Sequence, residues 1–87
     1  MTHNDVWNAI DAFARHNNRT VSYLAGHSGL DATTFNKSKR FTKHGQERWP
    51  STNSISKILK ANNCDLMDFV RIYMKSVKRL GKKNEIN

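Results

Sequence analysis

The sequence predicts an all-α domain of five helices. Apolar residues recur at three-to-four-residue spacing along most of the chain, residues able to cap a helix precede each apolar stripe, and strand-type alternation is weak throughout. At 87 residues the chain is long enough for one modest core and too short for a core plus a separate catalytic lobe, so its function must sit on one surface. No internal repeat is visible, and four glycines and one proline are too few for an interdomain linker. Residues 1–80 are therefore read as one domain and 81–87 as a disordered basic tail.

Taken in order, predicted helix 1 covers about residues 5–16, with Asn4 as cap and Val6, Ile10, Phe13 and Ala14 as its apolar stripe. Asn17 and Asn18 tolerate a left-handed stop. Thr20 then caps a short helix 2 that carries Val21, Leu24 and Ala25 inward and ends near His27. After Ser28-Gly29-Leu30, Asp31 is the expected cap of helix 3, Ala32 to about Arg40. Trp49-Pro50-Ser51 marks a restart, because proline cannot continue a helix and Ser51 can cap one; helix 4 follows over about 52–62 with Ile55, Ile58 and Leu59 on one face. Asp65 is the expected cap of helix 5, whose apolar residues are Leu66, Phe69, Val70, Tyr73, Val77 and Leu80, with Gly81 as its stop.

Composition narrows the function classes. Residues 1–36 hold two basic against three acidic side chains, whereas 37–87 hold thirteen basic against four acidic, so the excess positive charge enters after residue 36. One-sided charge of this kind is an electrostatic footprint for a polyanion. The longest apolar runs are two or three residues, too short to cross a bilayer, so no membrane partner is expected. MTHNDVWNAI lacks the layout of a secretory signal, and the single cysteine, Cys64, has no partner; a reducing cytoplasm is the expected compartment. His3, His16, His27 and His44 are widely spaced, with no HExxH or paired-cysteine pattern. No metal, cofactor or catalytic residue is expected, and Cys64 reads as a small, partly buried filler.

The densest pattern is Thr20 to Arg40, TVSYLAGHSGLDATTFNKSKR. Ala25 stands where two steeply crossing helices touch and a larger side chain would part them. Gly29, four residues on, suits a tight turn with a left-handed backbone. Leu30 and Phe35 would anchor the turn and the inner face of helix 3, leaving Asp31, Ala32, Thr33, Asn36, Lys37 and Arg40 outward.

With Leu24-Ala25, Gly29-Leu30 and Phe35 at these spacings, the chain resembles the Cro/phage-repressor (XRE-like) family of helix-turn-helix regulators. LDATTFNKSKR and RWPSTNSISKIL are similar to the N-terminal DNA-binding domain of bacterial repressors whose second half is a LexA-like self-cleaving peptidase, over roughly residues 5–70; the 87 residues leave no room for that half. The resemblance implies a five-helix, lambda-repressor-like domain in which helices 2 and 3 read double-stranded DNA as a sequence-specific transcriptional regulator, with repression as the sign the family suggests. Helix 3 would lie in the major groove, Asn36 pairing with adenine, Lys37 and Arg40 with guanine or phosphate, and Thr33 or Thr34 touching a thymine methyl, beside Ala32 and Lys39.

The ten-residue stretch from Phe41 to Pro50 is expected to clamp the sugar-phosphate backbone with Lys43, Gln46 and Arg48, and Trp49 to act as a core or hinge anchor. Thr20, Ser22, Ser51 and Thr52, at the starts of helices 2 and 4, are further candidate phosphate ligands. A contrasting reading is a protein-interaction module of antitoxin or adaptor type on the same fold; it would show exposed leucine or aromatic residues on helix 3 in place of polar and basic ones. Regulators of this kind pair on two half-sites, and the 4-3-4-3 spacing of Leu66, Val70, Tyr73, Val77 and Leu80 offers a short heptad stripe for a homodimer.

Overall fold

The computed structural model describes residues 1–86, with side chains described over 1–78. The described residues are helical, with four α-helices in place of the five expected: α1 (His3–His16), α2 (Val21–His27), α3 (Thr52–Ala61) and α4 (Leu66–Ile86). A 3₁₀ turn over Lys37–Lys39 stands within the span assigned to predicted helix 3, and predicted helices 4 and 5 correspond to α3 and α4. Phe41 and Glu47 form one isolated antiparallel bridge. α4 runs past Gly81, where a stop was expected, and the side chains of Leu80 and of residues 81–87 lie outside the described ones.

α1 begins two residues earlier than its apolar stripe suggested, because Thr2 and not Asn4 is its cap. The Thr2 hydroxyl accepts from the Asp5 N–H at 3.1 Å, and the Asp5 carboxylate accepts from the Thr2 N–H at 2.8 Å, a two-way box that satisfies both orphan donors. Asn18 takes the left-handed conformation at φ 56° and turns the chain, which returns with the Arg19 N–H on the Ala14 carbonyl. Ser51 caps α3, its hydroxyl accepting from the Ser54 N–H at 3.0 Å. Asp65 and Asp68 form a second reciprocal box at the start of α4, each carboxylate accepting the other residue's N–H.

The core is built around α1. Ile10 and Phe13 are fully buried beside Leu24, Ala25, Phe35, Ile58 and Phe69, so all four helices and the segment after α2 contribute to one cluster. Phe13 meets Phe69 of α4 edge-on, with ring centroids 5.6 Å apart. Truncating a phenylalanine so placed costs about 3–5 kcal/mol, a large share of a small domain's stability. Cys64 packs against the cluster with its thiol 3.4 Å from the Asn62 carbonyl, and burial pushes that thiol above its ordinary pKa, which disfavours the reactive thiolate. Among the described residues no helix is long and apolar enough to cross a membrane.

α1 and α4 are also tied by a polar contact, the Tyr73 hydroxyl donating to Asp5 Oδ1 at 2.8 Å. The backbone bond from Thr2, then the bonds from Tyr73 and the Thr2 hydroxyl, hold the Asp5 carboxyl below the ordinary aspartate range. A carboxyl depressed in the folded state stabilises above its unfolded pKa of about 4, and that contribution is lost as pH falls through the folded value. Urea unfolding between about pH 6 and pH 2 should therefore show stability falling below about pH 4, and Asp5→Asn should remove part of that acid dependence while weakening the protein near neutrality. An unchanged profile in the variant would show that neither the α1 box nor the Tyr73 bond contributes.

Candidate nucleic-acid interface

α2 and the turn after it follow the sequence pattern closely. Thr20 caps α2, its hydroxyl accepting from the Tyr23 N–H at 3.1 Å. Ala25 is fully buried, where a larger side chain would part α2 from its neighbours. Gly29 has φ +79°, the left-handed conformation that a side chain would strain, and it lets the Leu30 N–H return to the Ala25 carbonyl at 2.9 Å. Leu30 packs against the core and Phe35 is buried within it.

Beyond Asp31 the expected helix does not form. Residues 32–35 are turns, Asn36 is extended with ψ 153°, and the 3₁₀ turn Lys37–Lys39 follows. Local side-chain bonds explain the start of this break. The Asp31 carboxylate accepts from both the Thr33 N–H at 2.8 Å and the Thr33 hydroxyl at 2.6 Å, while the Thr34 hydroxyl and N–H both donate to the Asp31 carbonyl. Two adjacent β-branched threonines whose hydroxyls bond the local backbone favour turns over helix.

Arg40 explains its end. Rather than facing outward, its guanidinium turns into the protein and binds Asp11 through both terminal nitrogens, at 3.0 and 2.7 Å, donates to the Phe35 carbonyl at 3.0 Å, and lies 4.8 Å from the centroid of the Trp7 ring system. In an α-helix residues 35 and 40 would be about 140° apart around the axis and could not both face α1. The extended Asn36 and the tighter 3₁₀ turn let Phe35 and Arg40 both do so. The expectation that Arg40 faces outward is thus corrected: its side chain is turned inward, 11% exposed, with Nε buried and without a hydrogen-bond partner.

Residues 40–48 form a small hairpin. The Arg48 N–H donates to the Arg40 carbonyl at 2.9 Å and the Thr42 N–H to the Gln46 carbonyl at 2.8 Å, with Gly45 at φ +82° closing the tip. α1 grips its base from below. His3 Nε2 lies 2.8 Å from the Arg40 carbonyl and 3.0 Å from that of Arg48, while Trp7 Nε1–H donates to the Arg48 carbonyl at 2.9 Å. Phe41 and Trp49 pack on the His3 ring at 4.8 and 5.8 Å between centroids, Trp49 staying half exposed.

The expected ligands are thus placed in three ways. Lys37, Lys39, Lys43, Gln46 and Arg48 are exposed along the 3₁₀ turn and the hairpin, as are Ala32 and Thr52. Ser22 and Asn36 come together, the Ser22 hydroxyl 3.5 Å from Asn36 Oδ1, which joins α2 to the 3₁₀ turn. Thr20 and Ser51 are engaged as caps, and Thr33 and Thr34 by Asp31. Those Thr33 bonds, hydroxyl first, with Lys39 as a lesser influence, hold the Asp31 carboxyl below the ordinary range. Among the described residues the ion pairs are Arg40–Asp11, Arg71–Asp68 and a 3.9 Å approach of His3 to Glu47; none involves Lys37, Lys39, Lys43 or Arg48. Sequence reasoning missed Asp11, His3 and Trp7, which organise the segment from beneath. Among the described residues no group of three His, Cys, Asp or Glu side chains is placed to hold a metal ion. Comparison of the chain with protein-family models, curated proteins and solved structures finds no match.

Removing the carboxylate under Arg40 would strand a buried guanidinium, a change that costs about 3–5 kcal/mol for a fully buried pair and less here because Asp11 keeps a quarter of its side chain in solvent. Asp11→Ala should therefore lower unfolding free energy in urea by about 2–4 kcal/mol. Arg40→Met, which leaves only the more exposed Asp11 carboxylate unpaired, should cost less than Asp11→Ala; the reverse order would mean the guanidinium is not confined as described.

Proposed function

We propose that this chain is a double-stranded DNA-binding domain, a transcriptional regulator of the helix-turn-helix kind its sequence resembles, which holds the phosphate backbone through Lys37, Lys39, Lys43 and Arg48. The observation that carries the proposal is that these four cations are exposed on one continuous segment, the 3₁₀ turn and the hairpin, with Glu47 the one acidic residue between Asn36 and Pro50. Exposed cations free of carboxylate partners keep their charge for phosphates and release condensed counterions on binding. Asn36, at the junction with α2, is the residue suited to bidentate pairing with adenine. The outer surface of residues 32–48 is polar and basic apart from Phe41, which like the adjoining Trp49 packs on His3 and stays half exposed, and this balance favours a nucleic acid over the apolar partner of an antitoxin-like module.

We further propose that two copies pair through α4. Leu66, Val70 and Val77 are exposed along this helix, with Met67 and Met74 beside them. Leu66, Val70, Met74 and Val77 border a groove of about 1250 Å³ between α1, α3 and α4 that is also lined by Trp49, Ile55 and Leu59. Tyr73 departs from the expected stripe, since its hydroxyl is bound to Asp5 and its ring packs on the core. A second copy seating its own Leu66, Val70 and Val77 in the groove would form an isologous contact and set two basic segments on one duplex.

Fluorescence anisotropy with a labelled random-sequence duplex tests the first proposal. Four phosphate contacts per chain imply a slope of log affinity against log salt of about −3.6, and Lys43→Ala should reduce it to about −2.7. A slope near zero would overturn DNA binding. For the second, sedimentation should find a dimer that Val70→Asp with Val77→Asp converts to a monomer; a wild-type monomer with and without duplex would overturn the α4 interface.

A further inference from the structure

His3 is 4% exposed and sits at the first turn of α1, yet its ring reaches 37 and 45 residues along the chain, to the carbonyls of Arg40 and Arg48. Those two oxygens can only accept, so Nε2 carries the proton. The Arg40 carbonyl then takes two donors, the Arg48 N–H and His3 Nε2–H, and the Arg48 carbonyl takes Trp7 Nε1–H. The 3.1 Å approach of Trp7 Nε1 to His3 Nε2 is accordingly two donors side by side, each with its own carbonyl. Nδ1 is left facing Glu47 at 3.9 Å. Both strands of the hairpin are thus pinned at their base by side chains one helical turn apart on α1, and Lys43 projects from the far end.

We propose that His3 is a positioning residue for the interface: by donating to the Arg40 carbonyl beside the Trp7–Arg48 bond, it fixes the 40–48 hairpin so that Lys43 and Arg48 are held as phosphate ligands next to Lys37 and Lys39. This rests on the DNA-binding reading for its function and on hydrogen-bond geometry alone for its structural half. The two backbone bonds of the Phe41–Glu47 bridge, with the local bonds to Thr42 at the tip, would not by themselves hold so short a hairpin in water. The two buried donors from α1, with Phe41 and Trp49 packed on the imidazole, supply what the hairpin lacks. A hairpin released from α1 would spread its two cations over many orientations and lose the ordering that lets them meet phosphates together.

The test compares His3→Ala, His3→Gln and Trp7→Phe in the full chain by amide hydrogen exchange and by the salt dependence of binding to the same random-sequence duplex. In His3→Ala the amides of Thr42 and Arg48 should exchange at least about tenfold faster while Ile10 and Phe13 stay protected, and the salt slope should lose the share of two cations, about 1.8. His3→Gln should restore much of both, because its amide N–H can donate to the Arg40 carbonyl. Should His3→Ala unfold the chain, Trp7→Phe, which keeps the packing and removes the N–H, should loosen the Arg48 side alone. Unchanged exchange at Thr42 and Arg48 in both variants would overturn the positioning role. If exchange responds but the wild-type slope is itself near zero, the hairpin clamp stands and the DNA-binding reading falls.

Discussion

The guanidinium of Arg40 is drawn against α1, where it meets the Asp11 carboxylate, the Phe35 carbonyl and the face of Trp7 at once. Taking an ion pair out of water costs much of what its Coulomb attraction returns, so the pair contributes geometry more than net stability. That geometry decides the path of the chain from Phe35 onward. With Phe35 and Arg40 both required on the α1 side, the backbone must break its helical path between them, and it does so at Asn36. The same anchoring brings the Arg40 carbonyl over His3, which makes the hairpin to Arg48 possible. The 3₁₀ segment and the hairpin follow from this buried charge, while the turn before them follows from Asp31 and its bonds with Thr33 and Thr34.

What could be read from the sequence divides along the same line. α1, α2, α3 and α4 each pair an apolar stripe with a local cap, and both signals lie within a few residues of each other. Ala25 and Gly29 were legible for a similar reason, since crowding at a crossing and a positive φ are demands on single residues. The segment 32–40 was not legible. Phe35 and the polar residues around it fit a helical pattern, and what defeats the helix is Asp31 competing for the Thr33 and Thr34 donors together with a partner for Arg40 that lies 29 residues earlier. Periodicity has no access to a contact of that range. His3 was missed likewise; its one local signal was Trp7 a turn later on the buried face of α1, and an isolated histidine at a chain start reads as surface.

Charge was legible in sign and in position along the chain, but not in how much of it reaches solvent. Of the five cations between Asn36 and Pro50, Arg40 is spent inside the fold. The field presented to a polyanion is thus weaker at the 3₁₀ turn than the sequence suggests and less offset toward the hairpin tip, where Lys43 stands without a described partner. On the proposed reading, such a distribution weights backbone holding toward the hairpin and leaves the residues next to α2 for contacts of shorter reach.

On the proposed reading, replacing a nine-residue helix by a turn and a 3₁₀ segment changes how specificity must be achieved. A full recognition helix offers several side chains to base edges along the groove. Here Thr33 and Thr34 have their hydroxyls engaged and Arg40 is internal, which leaves Asn36, Ser38 and the two phosphate-holding lysines, Lys37 and Lys39, as the polar side chains able to reach bases from that span. Two or three contacts, each worth about 1–3 kcal/mol of discrimination, fall at the low end of the roughly 4–10 kcal/mol that separates specific from non-specific binding. Doubling the site across a two-fold axis brings the sum into that range without any further contact per chain. The exposed apolar edge of α4 and the small reading surface therefore belong to one physical requirement: a domain that reads so little alone needs a second copy held in fixed register, and the groove beside Leu66 and Val70 is the apolar surface available to hold it.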